Sequence, residues 1–95
     1  MLGEKIRELR EERGILQREL ASELRLGEGF LSKVEHGQKF LSKTHLRELS
    51  RALDFPLKDL ELLWLASKVH NIIENEQNGM EVLKIIEKQL RKSRK

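Results

Sequence analysis

Apolar residues at three- and four-residue spacing organise this chain from its first turn. Leu2, Ile6 and Leu9 recur in that rhythm while Glu4, Lys5, Glu8, Glu11 and Glu12 fill the other faces, the pattern of an amphipathic helix that ends by Gly14. Gly14 suits a left-handed cap. A second short helix is predicted over residues 17–24, with Leu20, Ala21 and Leu24 inward. Arg25, Leu26 and Gly27 leave room only for a tight turn. A third helix is predicted from about Glu28 to His36, burying Leu31 and Val34, and Gly37 stops it. Ser42 is the expected N-cap of a fourth helix carrying Leu46, Leu49, Ala52 and Leu53. That helix must end before Phe55 and Pro56, because the residue preceding proline avoids helical geometry.

From Leu57 onward Leu60, Leu63, Val69, Ile72 and Ile73 extend a fifth helix well beyond what a compact five-helix unit needs. Asn75, Gln77, Asn78 and Gly79 interrupt it. A sixth helix follows with Val82, Leu83, Ile85, Ile86 and Leu90 and finishes in a basic tail. Every element is helical, so the expected class is all-α. At 95 residues the chain has material for one modest core and too little for a separate catalytic domain.

Composition narrows the chemistry. The absence of Cys removes disulfides, thiolate nucleophiles and Cys-ligated zinc together. No apolar stretch approaches the roughly 18 residues of a membrane span, so a soluble, cytoplasmic protein is expected. The net charge of +3 is mild, and its distribution carries more information than its sum. Over residues 1–24 Lys5, Arg7, Arg10, Arg13 and Arg18 are outnumbered by Glu4, Glu8, Glu11, Glu12, Glu19 and Glu23. Over residues 25–47 Arg25, Lys33, Lys39, Lys43 and Arg47 meet only Glu28 and Glu35, so positive potential gathers in mid-chain. Lys88, Arg91, Lys92, Arg94 and Lys95 form a second basic cluster, which reads as a solvated tail or as a contact for a polyanion such as DNA.

Two short helices joined by a turn of about three residues are the geometry in which one helix braces across the DNA backbone while the next enters the major groove. Ala21 must be small where the helices cross, and Leu24, Leu26, Leu31 and Val34 must be apolar to lock the crossing. The stretches LGEKIRELREERGILQRELASEL, FLSKVEHG and LRELSRALDFPLKDL, with Arg10, Gln17, Ala21, Leu31, Ser32, Glu35 and Gly37 in register together, resemble the lambda-repressor and Cro-like helix-turn-helix proteins, the XRE type. The resemblance covers residues 2 to about 63 and extends to controller proteins of restriction-modification systems and to phage repressors. It implies a five-helix domain over residues 1–63; beyond it, residues 64–92 read as a helical extension for dimerisation packed on the same domain, and residues 93–95 as a basic tail.

The resemblance also implies roles. Gln17 matches the position at the start of the second helix where side chain and backbone amide hold a phosphate, with Arg18 beside it. Gly27, Glu28, Gly29, Ser32 and Lys33 match positions facing the bases, Gly27 also lying against the backbone. His36, Lys39 and Lys43 match phosphate contacts, and Arg10 with Glu35 matches an internal salt bridge. Two positions depart from the pattern. Arg25 stands where the turn usually has Gly, so it must adopt the turn conformation itself or the turn must shift. Gly27 replaces the usual Ser or Thr cap, which with Gly29 leaves the reading helix bare and lets its backbone approach DNA closely.

Chemically, Lys33 can donate to guanine O6 and N7, and Ser32 can serve donor or acceptor edges. Glu28 can accept from cytosine N4 or simply face the positive end of the helix dipole. Phe30 can touch a thymine methyl or pack on the following loop with Phe40. The three histidines, His36, His45 and His70, lie far apart with no carboxylate at metal-ligand spacing, and Ser32, Ser42 and Ser50 lack the partners of a triad. Neither catalysis nor a cofactor is expected.

Trp64, Leu65, Val69, Ile72, Ile73, Leu83, Ile86 and Leu90 offer more apolar surface than a sixty-residue core absorbs. Either the sixth helix folds back on the fifth within one chain, or both build a symmetric homodimer interface, and the second is the expectation here. The function expected is a homodimeric regulator of transcription, a repressor on a pseudo-palindromic operator in double-stranded DNA with half-sites roughly 34 Å apart. Activation through RNA polymerase stays open. The competing reading is an antitoxin or protein-interaction module whose last helices hold a toxin and whose DNA binding is autoregulatory.

Overall fold

The computed structural model describes residues 1–94. Six helices follow in order: α1 (Leu2–Glu12), α2 (Gln17–Glu23), α3 (Glu28–Glu35), α4 (His45–Leu53), α5 (Leu57–Ile73) and α6 (Gly79–Ser93). Helix α1 packs on α3, α4 and α5, α2 packs on α3 and α4, and α4 packs on α5. The thirteen buried hydrophobic residues all lie between Leu2 and Leu60, so the core belongs to α1–α4, the Leu41 loop and the first turn of α5.

The first four helices end as their sequences predict, α4 at Leu53 before Phe55 and Pro56. After α1 the Gly14 N–H donates to the Glu11 carbonyl and the Ile15 N–H to Arg10, a paired closure with Gly14 at φ +65°. After α3 Gly37 does the same at φ +77°, its N–H meeting Val34 while that of Gln38 meets Lys33. The turn between α2 and α3 uses this closure too: Arg25 N–H donates to Ser22 and Leu26 N–H to Ala21 at 2.8 Å. Arg25 itself adopts φ +58°, so the turn keeps its geometry and the side chain absorbs the strain. At the start of α4 the expected cap is displaced. The helix begins at His45 after Thr44, and the Ser42 hydroxyl bonds the Thr44 hydroxyl and the His45 Nδ1 instead of capping a backbone amide.

A buried carboxylate ties these elements together. Glu35, on the last turn of α3, is 4% exposed. Its Oε2 accepts from Arg10 Nε at 2.8 Å, and its Oε1 from Arg10 Nη2 and Gln17 Nε2, each at 3.1 Å. Arg10 Nη1 donates onward to the Ile15 carbonyl at 2.9 Å. The Glu35 hydrogen bond leads the effects that hold the Arg10 guanidinium above its usual pKa, against the opposing pull of desolvation. The salt bridge implied by the family resemblance is therefore present. Gln17, expected to hold a phosphate, commits its side-chain amide inward to Glu35.

Only the last helix of the extension departs from the compact body. The division after Leu63 falls inside α5, which runs unbroken through it. Every residue of α6 after Gly79 is exposed, so α6 does not bury its apolar stripe on the chain's own core. The radius of gyration is 15.3 Å, above the roughly 12–13 Å of a compact domain this size. Of the predicted tail, Ser93 closes α6, Arg94 follows it, and Lys95 lies outside the described residues.

Two stability measurements check this description. Arg25→Gly removes a left-handed side-chain penalty of about 1–2 kcal/mol and adds about 0.5–1 kcal/mol of unfolded-state entropy. Urea denaturation should show a net gain of roughly 0.5–1 kcal/mol, and a loss would mean that Arg25 makes a compensating contact. Arg10→Met strands a buried carboxylate and should cost about 3–5 kcal/mol, much of it recovered in Arg10→Met/Glu35→Leu. Equal losses in the single and double variants would contradict the pairing.

Candidate nucleic-acid interface

Helix α3 divides cleanly by burial. Leu31, Val34 and Glu35 face the core, while Glu28, Gly29, Ser32, Lys33 and His36 fall within an arc of about 140° on the other side. Glu28, Gly29, Lys33 and His36 are exposed and Ser32 is half-exposed. The expected base-reading residues therefore share one outward face. Helix α1 and the Glu35 bonds back that face from behind. Gly27 is the N-cap, with extended backbone at φ −71° and ψ 146°, and its carbonyl accepts from the Leu31 N–H at 3.1 Å. A Cβ built on Gly27 or Gly29 would meet no atom within 4 Å. Nothing in the fold demands glycine at either position. Phe30 is half-buried and packs against the hydrophobic core.

His36 shows a constraint that sequence alone did not expose. Its Nδ1 lies 2.7 Å from the Ser32 carbonyl, which can only accept, so Nδ1 carries the proton. In the neutral ring Nε2 is then an acceptor. His36 can donate to a phosphate only as imidazolium.

The cations of this region differ from those of α1. Lys5, Arg7 and Arg13 each lie within 3.5 Å of a glutamate on their own helix. Among the described residues, Arg18, Arg25, Lys33, Lys39, Lys43 and Arg47 meet no carboxylate within 4.0 Å, and all are exposed. Exposed ion pairs add little stability, so the consequence is electrostatic: the α1 charges cancel locally, whereas those from α2 to α4 project a positive field.

The loop between α3 and α4 carries Lys39 and Lys43 and is anchored by buried Leu41. Trp64, expected at a dimer interface, is half-buried and donates its Nε1–H to the Leu41 carbonyl at 2.7 Å. It therefore belongs to the packed domain as well. The other residues expected there divide in two. Val69 and Ile73 are half-buried, whereas Leu65 (58%), Ile72 (73%), Leu83, Ile86 and Leu90 (59%) are exposed. Trp64, Leu65, Val69, Ile73 and Leu83 line an apolar groove of about 640 Å³ between α5 and α6, with Lys43 and Lys58 among its walls. No helix among the described residues is long and apolar enough to cross a membrane.

Comparison with known proteins bears on this geometry. The family model described as a helix-turn-helix domain matches residues 3–70. The solved structure of the clp gene regulator ClgR from Corynebacterium glutamicum is 26% identical, covering 93% of this chain and 88% of that one, with a TM-score of 0.59. A chain of the SinR protein/SinI protein complex is 22% identical, covering 99% of this chain and 100% of that one, with a TM-score of 0.57, and shows the fold alone. No curated protein matches the sequence significantly. With a family model matched over most of its length and the polar face of α3 turned outward, the chain belongs to the helix-turn-helix domain family, XRE type, whose members are DNA-binding regulators of transcription.

Proposed function

We propose that this protein is a repressor that binds a pseudo-palindromic operator as a homodimer, one α3 per half-site, with half-sites roughly 34 Å apart. The observation that carries the reading is the outward face of α3, where Glu28, Gly29, Lys33 and His36 are exposed, in a stretch of chain whose cations make no ion pair among the described residues. Lys33 and Ser32 read base edges, and Glu28 accepts from cytosine or caps the helix dipole. Lys39, Lys43 and Arg18 meet phosphates, as does His36 when protonated. Gln17 reaches phosphate through its backbone amide at the first turn of α2, since its side chain is held by Glu35. The bare surface at Gly27 and Gly29 lets the α3 backbone approach the groove.

The second half of the reading rests on α5 and α6. Nine of the twelve exposed large hydrophobic side chains lie on these two helices. Each leaves unrealised a good part of the roughly 1.5–3 kcal/mol that full burial contributes. Helix α6 has 15 residues, near the length at which an isolated helix is marginal in water. A second copy of the chain covers both surfaces and doubles the base contacts, which one short reading helix needs for useful specificity. The same exposed stripe favours a second reading, a protein-interaction module with autoregulatory DNA binding. The likeness to a chain solved in a two-protein complex is in keeping with it.

Selection of bound sequences from a random duplex pool, with a mass measurement in solution, tests the proposal. A palindromic motif bound by a dimer is expected. A monomer that co-purifies with a different small protein would favour the second reading, and no enrichment of any sequence would end the first.

Three substitutions probe individual roles. Gly29→Ala should stabilise the fold by about 0.5–1 kcal/mol because a Cβ there is unobstructed and alanine favours helix. It should nevertheless weaken operator binding, and unchanged affinity would remove the close-approach role. Lys33→Ala should lose about 1–3 kcal/mol on the operator and relax one base preference. Equal loss on random duplex would contradict base reading. Lys43→Ala should weaken all duplexes alike and lower the salt slope by about one unit, and an unchanged slope would show that Lys43 misses the phosphates.

A further inference from the structure

The chain's single tryptophan makes contacts that packing alone does not require. Trp64 sits in mid-α5, donates to the Leu41 carbonyl at 2.7 Å, and carries the Lys68 ammonium 4.1 Å from its ring centroid. The same ammonium lies 5.9 Å from the centroid of Phe40. Phe40 and Leu41 belong to the α3–α4 loop, between Lys39 and Lys43. A loop without a helical ladder is fixed only by the anchors it is given. Besides the bonds of Ser42 to Thr44 and His45, the rest of the fold holds this loop at three points: the buried Leu41 side chain, its carbonyl held by the indole, and the Phe40 ring shared with Lys68. Two of the three come from α5, which lies outside the reading helix.

We propose that Trp64 is a positioning residue for DNA binding: it holds the backbone between Lys39 and Lys43 in the register at which those lysines meet phosphate. The proposal rests on the DNA-binding reading above and adds a residue that touches no DNA. Its physical basis is preorganisation. A loop ordered before binding loses less conformational freedom when its lysines engage, so the indole N–H raises affinity through the loop. Base discrimination, set by α3 and its Glu35 anchor, is untouched by this contact.

Two replacements of Trp64 isolate the N–H. Trp64→Phe keeps an aromatic face for Lys68, and 3-benzothienylalanine at position 64 exchanges N–H for sulfur at nearly unchanged shape. The second keeps the test open if the first fails to fold. With solution mass unchanged, both should bind operator and random duplex about five- to tenfold more weakly, the size of one hydrogen bond. The salt slope should fall by about one to two units, for two lysines displaced, with base preference retained. In the unsubstituted protein, duplex should also change the Trp64 emission, and Lys39→Ala/Lys43→Ala should abolish that change. Wild-type affinity and slope in the benzothienyl variant would overturn the inference alone, as would a loss confined to base preference. Failure of the unsubstituted protein to bind any duplex would overturn the DNA-binding reading, and this inference with it.

Discussion

The arrangement of this molecule depends on the burial of the Glu35 carboxylate. A charge taken out of water is costly unless hydrogen bonds replace what it loses, and Glu35 recovers three, two from Arg10 and one from Gln17. The donors come from α1 and from the start of α2, and the acceptor lies at the end of α3. One satisfied carboxylate thus fixes α3 against α1 and α2. Because Glu35 lies only two residues beyond Lys33, its fixation also sets the rotation of α3 about its axis. The outward direction of Ser32 and Lys33 follows from where Glu35 must point.

Around this anchor the chain separates two kinds of unpartnered surface. From α2 to α4 it leaves cations that meet no carboxylate among the described residues, a field suited to a polyanion. On α5 and α6 it leaves apolar side chains without a core, a surface suited to another protein. The α3–α4 loop lies where the two meet: Leu41 enters the core, Lys43 borders the apolar groove, and Trp64 contacts both.

Much of this was legible in the sequence, because helices announce themselves through local periodicity and glycine-closed ends. The α1, α2 and α3 boundaries were readable from Leu2, Ile6 and Leu9, from Leu20, Ala21 and Leu24, and from Gly14 and Gly37. The ionic pair of Arg10 and Glu35 came through family resemblance. What stayed hidden was the choice among distant partners. Nothing local tells Gln17 to turn inward to Glu35 rather than outward, or Ser42 to bond its neighbours' side chains rather than a helix amide. The Trp64 bond to Leu41 had a signal, since a half-buried indole N–H seeks an acceptor, but not an address. Periodicity also gave α6 an apolar face beyond what the core absorbs, and that face is exposed in the fold.

The most direct measurement is amide chemical-shift mapping of isotope-labelled protein titrated with duplex DNA. The largest changes are expected at residues 27–33 and along 36–43, with the α6 amides nearly unmoved. Changes concentrated on α5 and α6, with residues 27–33 silent, would contradict the assignment of α3 as the reading helix.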